Sequence, residues 1–267
     1  MILVIDPSLK AQLAPSHPFD QLMHLTGSVY RELENRKVQR VLIGSAYYFI
    51  KQHHGVGWKE IVKNIIQLRW PVLSAKNEWI ALNYLKKLGI LVPEPLAYGL
   101  YGRNPARMQS FLVTRELSNC ITLEELGKQW SKKAPRFNEK QRLITEVAQI
   151  AHKLHQHGVN HRDFYLCHFL LQVTTQPDKS KPCLYLIDLH RAEIRKKTPQ
   201  RWLIKDLAGL FFSSKKIGLT KRDLLRFIRE YRKKSLRAIL NQDAGFWHKV
   251  ERRGNQLFQK ETSRYFK

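Results

Sequence analysis

The sequence predicts an α+β fold in two lobes: an N-terminal antiparallel sheet carrying a helix, then a mainly helical C-terminal part. Three observations carry this prediction. Gly27–Lys51 reads as strands, with Lys37–Ile43 and Ala46–Lys51 joined at the tight-turn pair Gly44-Ser45. Beyond residue 117 the pattern turns largely helical, with capping boxes starting at Thr122 and Thr220. A polar triplet, His161-Arg162-Asp163, sits between the clearest helical stripe and an apolar run.

Bulk properties set the frame. A chain of 267 residues is long enough for one large domain or two lobes. Apolar content of 43% and aromatic content of 10% argue for a packed globular protein. Met1–Leu13 has no basic segment followed by an apolar one, so no signal peptide is expected. No run of about 18 apolar residues exists to predict a membrane span. Cys120, Cys167 and Cys183 are widely spaced and odd in number, which fits a reducing cytosol better than a disulfide framework.

Charge is the unusual property. Forty-seven Lys and Arg against 22 Asp and Glu give +25, where an ordinary small domain carries about 2–8. His190–Lys267 alone holds 22 basic and 7 acidic residues. A polyanionic partner is expected: an anionic membrane, a phosphorylated substrate, an acidic protein or nucleic acid. Nucleic acid finds no support in an aromatic RNP-type stretch or a zinc-finger spacing, and none is predicted.

In chain order, Gly27-Ser28-Val29-Tyr30 begins the first predicted strand and the hairpin follows. His53–Leu73 reads as an inserted helix. Trp58, Ile61, Val62, Ile65 and Ile66 share one face, and Arg69-Trp70-Pro71 ends it. That stripe fits either packing on the domain or an interfacial helix at a lipid surface. Ala75–Leu88 is a second helix stopped by Gly89, with Glu78 in its first turn. Leu96–Tyr101 and Ser110–Arg115 are strands, and Glu116–Ile121 is a linker. The predicted lobes are therefore residues 1–117 and 118–267. In the second, Asn138 caps a helix that runs to His157, with Leu143, Val147, Ile150, Ala151 and Leu154 buried and Gly158 as the stop. Phe169–Val173 and Leu184–Ile187 pair as strands about a polar turn, Gln176–Pro182. Thr220–Lys234 and Phe246–Phe258 are helical.

The polar residues of this frame fall into the order of a phosphotransferase: a strand lysine, a His-Arg-Asp loop and a strand-end Asp. That order predicts a bilobed protein-kinase-like fold. Phosphoryl transfer needs cations on the phosphates, carboxylates on a metal and a base for the attacking hydroxyl. Lys51 is the candidate phosphate cation, with Glu78 to fix its direction. Gly27 and Ser28 stand where a glycine-rich loop would cradle phosphates, and the loop is thin. With Thr114 and Glu116 these residues form the candidate ATP-binding set. Asp163 is the candidate base, with Arg162 beside it, and Asp188 the candidate Mg²⁺ carboxylate. His168 stands where a kinase has an Asn metal ligand. Imidazole suits Mg²⁺ less well than oxygen, so metal ligand, phosphate contact and loop support all remain open for it. His53, His54, His152, His155 and His157 do not complete a zinc site.

Longer motifs carry a family resemblance. Gly57-Trp58-Lys59-Glu60-Ile61, Pro71-Val72-Leu73-Ser74-Ala75 with Asn77-Glu78-Trp79, His161-Arg162-Asp163-Phe164-Tyr165 with Cys167-His168, and Ile187-Asp188-Leu189-His190-Arg191-Ala192 resemble the bacterial lipopolysaccharide core heptose(I) kinases. Their wider family includes Kdo kinases, and the likeness spans roughly Gly27–Leu240. It implies transfer of the ATP γ-phosphate to the 4-hydroxyl of the first inner-core heptose, with Asp163 as catalytic Asp and Asp188 as metal Asp. It also implies an anionic glycolipid acceptor, met by a peripheral protein on the cytoplasmic face of the inner membrane. Acyl carrier protein, being acidic, is an admissible partner. The rivals are a Kdo or protein kinase of the same fold and a non-catalytic basic scaffold.

Overall fold

The structure is a computed structural model that describes residues 1–33, 35–66, 73–130, 132–173 and 181–265. The chain divides into two compact units. The first comprises Met1–Lys87, Val92–Leu117 and Leu189–Arg191, and the second Leu88–Leu91, Ser118–Asp188 and Ala192–Lys267.

In the first unit, β1 (Ile2–Ile5), α1 (Pro7–Lys10) and α2 (Pro18–Met23) precede β2 (Ser28–Leu33), β3 (Arg36–Ile43) and β4 (Ala46–His54). Then come α3 (Gly57–Ile66), α4 (Lys76–Lys87), β5 (Pro95–Tyr101) and β6 (Gln109–Arg115). Among the described residues the strands form an antiparallel sheet in the order β1-β5-β6-β4-β3-β2. β1, α1 and α2 are additions to the sequence prediction. Each is only four to six residues long, too short to show a period.

These additions build the core on one face of the sheet. Leu9, Phe19 and Leu22 pack with Tyr48, Ile50, Phe111 and Val113, all buried. Strand alternation puts Tyr48, Ile50 and Gln52 on that face, and Lys51 on the other. Gln52 lies in this apolar layer at no polar deficit: its amide donates to the carbonyls of Leu22, Met23 and Leu25 and accepts from Gln39 at 2.7 Å.

The stripe on α3 divides. Ile61 is buried with Val56 and Ala106, whereas Trp58, Val62 and Ile66 are 59%, 50% and 76% exposed. The predicted helix end at Arg69-Trp70-Pro71 lies outside the described residues, as does most of the turn Gln176–Pro182.

The second unit runs β7 (Cys120–Thr122), α5 (Leu123–Gln129), α6 (Phe137–Gln156), β8 (Val159–Asn160), β9 (Phe169–Gln172), β10 (Leu184–Leu186) and β11 (Glu193–Ile194). Helices α7 (Gln200–Ser214), α8 (Lys221–Arg232), α9 (Leu236–Gln242) and α10 (Ala244–Tyr265) complete it. Its small sheets are β10-β9-β7 and β11-β8. The end of the expected linker is thus a strand: Cys120 and Ile121 pair with Gln172 and Leu171. Asn138 is not the cap of α6. Arg136, following Pro135, takes the extended cap conformation, and the helix begins at Phe137. The capping boxes of Thr122 with Glu125 and Thr220 with Asp223 are both formed. Among the described residues no helix is long and apolar enough to cross a membrane.

Helices α6, α7, α8 and α10 leave a cavity of about 620 Å³ inside this unit. Its wall is apolar and includes Leu143, Val147, Leu210, Leu224, Phe227 and Trp247.

Candidate active site

In the first unit the strand lysine has the partner expected of it. Lys51 Nζ lies 2.6 Å from Glu78 Oε1, and Glu78 is buried on the first turn of α4. A charge-assisted hydrogen bond of this kind fixes the direction of the ammonium. The helix itself is pinned by Asn77, whose side chain donates to the His190 carbonyl at 2.8 Å. Thr114 is buried near the end of β6. Glu116 binds Arg40 through both oxygens at 2.7 and 3.0 Å. The guanidinium of Arg40 also lies over the Tyr47 ring at 3.5 Å.

Gly27 directly precedes β2, beside β3, and its N–H donates to Gln39 Oε1 at 3.0 Å. A Cβ there would stand 2.1 Å from the Arg40 carbonyl oxygen. Close approach of two strands therefore demands the glycine. Ser28 follows in register with Arg40 and is exposed.

The second unit carries the acid–base and metal candidates on one loop and one strand end. Helix α6 stops at Gly158, whose φ is +76° and whose Cβ, if it had one, would meet the Arg195 carbonyl at 1.7 Å. This stop delivers the chain into β8 and then His161-Arg162-Asp163. His168 Nδ1 lies 2.6 Å from the Asp163 carbonyl oxygen. A carbonyl only accepts, so Nδ1 carries a proton and donates to it. Nε2 lies 3.5 Å from Asp188 Oδ2.

His161 takes the opposite tautomer. Its Nε2 donates to the Ile187 carbonyl at 3.0 Å, and its ring stacks on that of His168 with centroids 5.6 Å apart. Burial depresses the His161 pKa, so the ring stays neutral. Arg162 and Asp188 both have positive φ, +73° and +62°, a region that non-glycine residues seldom occupy and that clusters at functional sites.

The loop backbone is held by Asp206, which sequence reasoning missed. Asp206 is buried in α7, and its carboxylate accepts the main-chain N–H of His161 at 2.7 Å and of Arg162 at 2.9 Å. The Arg162 guanidinium donates to Glu193 at 2.8 Å and lies over the Trp202 ring at 4.9 Å. Glu193 also pairs with Arg195. The available signal for Asp206 was a lone acid set in the apolar run of Leu207, Ala208 and Leu210.

Among the described residues no group of three or more His, Cys, Asp or Glu side chains converges on a metal position. Asp188 and His168 are the residues that could hold a Mg²⁺ ion, which beside nucleotides usually draws its other ligands from phosphate and water. The α6 histidines and His157 at its end bond elsewhere: His152 Nδ1 to the Tyr231 carbonyl, His157 Nδ1 to the Lys153 carbonyl, and His155 to Tyr231 and Asp206.

Comparison with known proteins gives the family of the chain. The model of the lipopolysaccharide kinase (Kdo/WaaP) family matches residues 20–231. The chain is 42% identical to the lipopolysaccharide core heptose(I) kinase WaaP of Pseudomonas aeruginosa, over 97% of both chains. It is 40% identical to a protein of the same name from Escherichia coli, over 90% of this chain and 91% of that one. A solved structure, WaaP in complex with acyl carrier protein, shares 39% identity and a TM-score of 0.83, covering 97% of this chain and 100% of that one. With its site motifs inside the matched span, the chain belongs to the lipopolysaccharide kinase (Kdo/WaaP) family and is a kinase.

Proposed function

We propose that the protein transfers the γ-phosphate of ATP to the 4-hydroxyl of the first heptose of the lipopolysaccharide inner core. The observation that carries this is the 42% identity, over 97% of both chains, to a heptose(I) kinase. Asp163 accepts the proton of the attacking hydroxyl, the sugar oxygen bonds to the γ-phosphorus, and ADP departs with the electron pair of the broken P–O bond. Lys51, directed by Glu78, offsets charge on the phosphates. Gly27, Ser28, Thr114 and Glu116 belong to the nucleotide-binding set. Asp188 and His168 hold Mg²⁺, which when bound neutralises phosphate charge. Arg162 holds the shape of the loop through Glu193.

Two partners complete the reading. The basic surface and the exposed face of α3 support a peripheral position on the anionic cytoplasmic face of the inner membrane, where each basic residue contributes about 1 kcal/mol. An acidic acyl carrier protein is the second partner, since the 39% identical relative was solved in complex with acyl carrier protein. Copurification of a small acidic protein, identified by intact mass, tests that partner; purification of a stoichiometrically unaccompanied, active chain counts against it.

Labelled ATP should be incubated with three acceptors: glycolipid ending at the first heptose, glycolipid ending at Kdo, and a generic protein. Label confined to the heptose-bearing acceptor supports the proposal, and NMR of the product locates the phosphate. Label on the Kdo-terminated acceptor or on the protein replaces it with a rival kinase reading.

A further inference from the structure

A chain of buried polar contacts runs from the catalytic loop to the wall of the apolar cavity. Asp206 Oδ2 accepts the His161 main-chain N–H, and Oδ1 that of Arg162. His155, buried on α6, brings Nε2 to 3.4 Å from the same Oδ2 and Nδ1 to 2.8 Å from the Tyr231 hydroxyl. A carboxylate needs donors, so the consistent arrangement has Tyr231 O–H donating to Nδ1 and Nε2–H donating to Asp206. Burial pushes the Tyr231 phenol up, which keeps its proton in place to donate. The Tyr231 backbone is anchored separately, its carbonyl accepting from His152 Nδ1 at 2.7 Å.

The far end of this chain is aromatic. The Tyr231 ring stacks on Phe227 with centroids 6.0 Å apart and meets Trp247 edge-on at 5.7 Å. Phe227 and Trp247 both line the cavity. The near end is strained, since Arg162 is held in the left-handed region at φ +73°, a conformation that persists only where its surroundings over-determine it. Hydrogen bonds donated to Asp206 by two successive N–H groups supply that determination.

We propose that His155 and Tyr231 are positioning residues for phosphotransfer: they orient Asp206, which holds the His161 and Arg162 backbone and thereby sets the place of Asp163. The proposal rests on Asp163 as the base but is independent of which sugar it serves.

The test uses the full chain with Tyr231→Phe, His155→Leu, His155→Gln and the double variant His155→Leu/Tyr231→Phe. Tyr231→Phe keeps the ring packing and removes only the hydroxyl. We expect at least fivefold lower kcat with KM for ATP within twofold of the parent. Amide exchange at His161 and Arg162 should quicken at least tenfold, with exchange in the middle of α10 little changed. The double variant should lose no more kcat than His155→Leu alone, and His155→Gln, which still offers a donor to Asp206, should recover part of the loss. The exchange measurement stands whether or not heptose is the acceptor, so failure of the acceptor reading is separately visible. Parental exchange at His161 and Arg162, exchange quickened equally throughout the unit, or unchanged kcat despite faster loop exchange would each overturn the proposal.

Discussion

His168 is bonded through Nδ1 to the main-chain carbonyl of Asp163 at 2.6 Å, and its Nε2 stands 3.5 Å from Asp188. One imidazole thus ties the loop that bears the candidate base to the strand end that bears the candidate metal carboxylate.

Removing that ring should be felt mainly in metal dependence. Loss of an orienting partner typically costs 10–100-fold in metal affinity or activity. His168→Ala is therefore expected to raise the Mg²⁺ concentration for half-maximal turnover, or lower kcat, by about that factor. His168→Asn, which retains an oxygen ligand, should lie between the two. A Mg²⁺ titration of His168→Ala that overlays the parent would remove His168 from the metal site.

Lys51 and Glu78 make a second prediction. Hydrogen bonds to charged groups contribute about 1.5–3 kcal/mol, so Glu78→Gln should lower kcat/KM for ATP by about ten- to a hundredfold. Lys51→Met should do at least as much. The two effects should combine non-additively, since each variant breaks the same pair. Simple multiplication of the two losses would show that Lys51 and Glu78 act independently.

His53 gives a pH dependence. Burial, with the positive charge of Arg36 and Lys51 added, drops its pKa from 6.5 to about 3. The unfolded chain therefore binds this proton more tightly than the folded one. Stability is complete above pH 6.5 and falls as pH drops from there towards 3, by at most about 1.4 kcal/mol per pH unit for this group. His53→Leu should flatten the decline of Tm between pH 6.5 and 4. An identical slope in parent and variant would contradict the assignment.

Much of this was legible in the sequence where local chemistry decides structure. Thr122 with Glu125 and Thr220 with Asp223 form the capping boxes their spacing demands. The hairpin turns at Gly44, and Lys51 falls opposite the buried residues of β4 by simple alternation. What was hidden depends on distant partners. Asp206 acts on residues some 45 positions earlier in the chain, and a single acid on a helix carries no periodic mark. Asn138 has better capping chemistry than Arg136, yet the entry of the chain after Pro135 starts α6 sooner. β1 exists because β5 offers it an edge, which four apolar residues cannot announce.

The outward face of α3 tests the membrane reading. Trp58, Val62 and Ile66 are exposed on one side of the helix, an arrangement suited to shallow insertion beneath anionic headgroups. The parent should float with anionic liposomes, less so at high salt. Val62→Asp with Ile66→Asp should cut the bound fraction severalfold while leaving turnover on detergent-dispersed acceptor intact. Flotation that ignores both salt and these substitutions would place the membrane contact elsewhere or nowhere.

The central claim is that Asp163 takes the proton of a heptose hydroxyl. Its most direct test is single-turnover transfer from labelled ATP to heptose-terminated glycolipid, comparing the parent with Asp163→Asn. A positioned base is worth about 10²–10⁴ in rate, so the variant should slow by at least a hundredfold while binding ATP as the parent does. Transfer by Asp163→Asn at the parental rate would contradict the account.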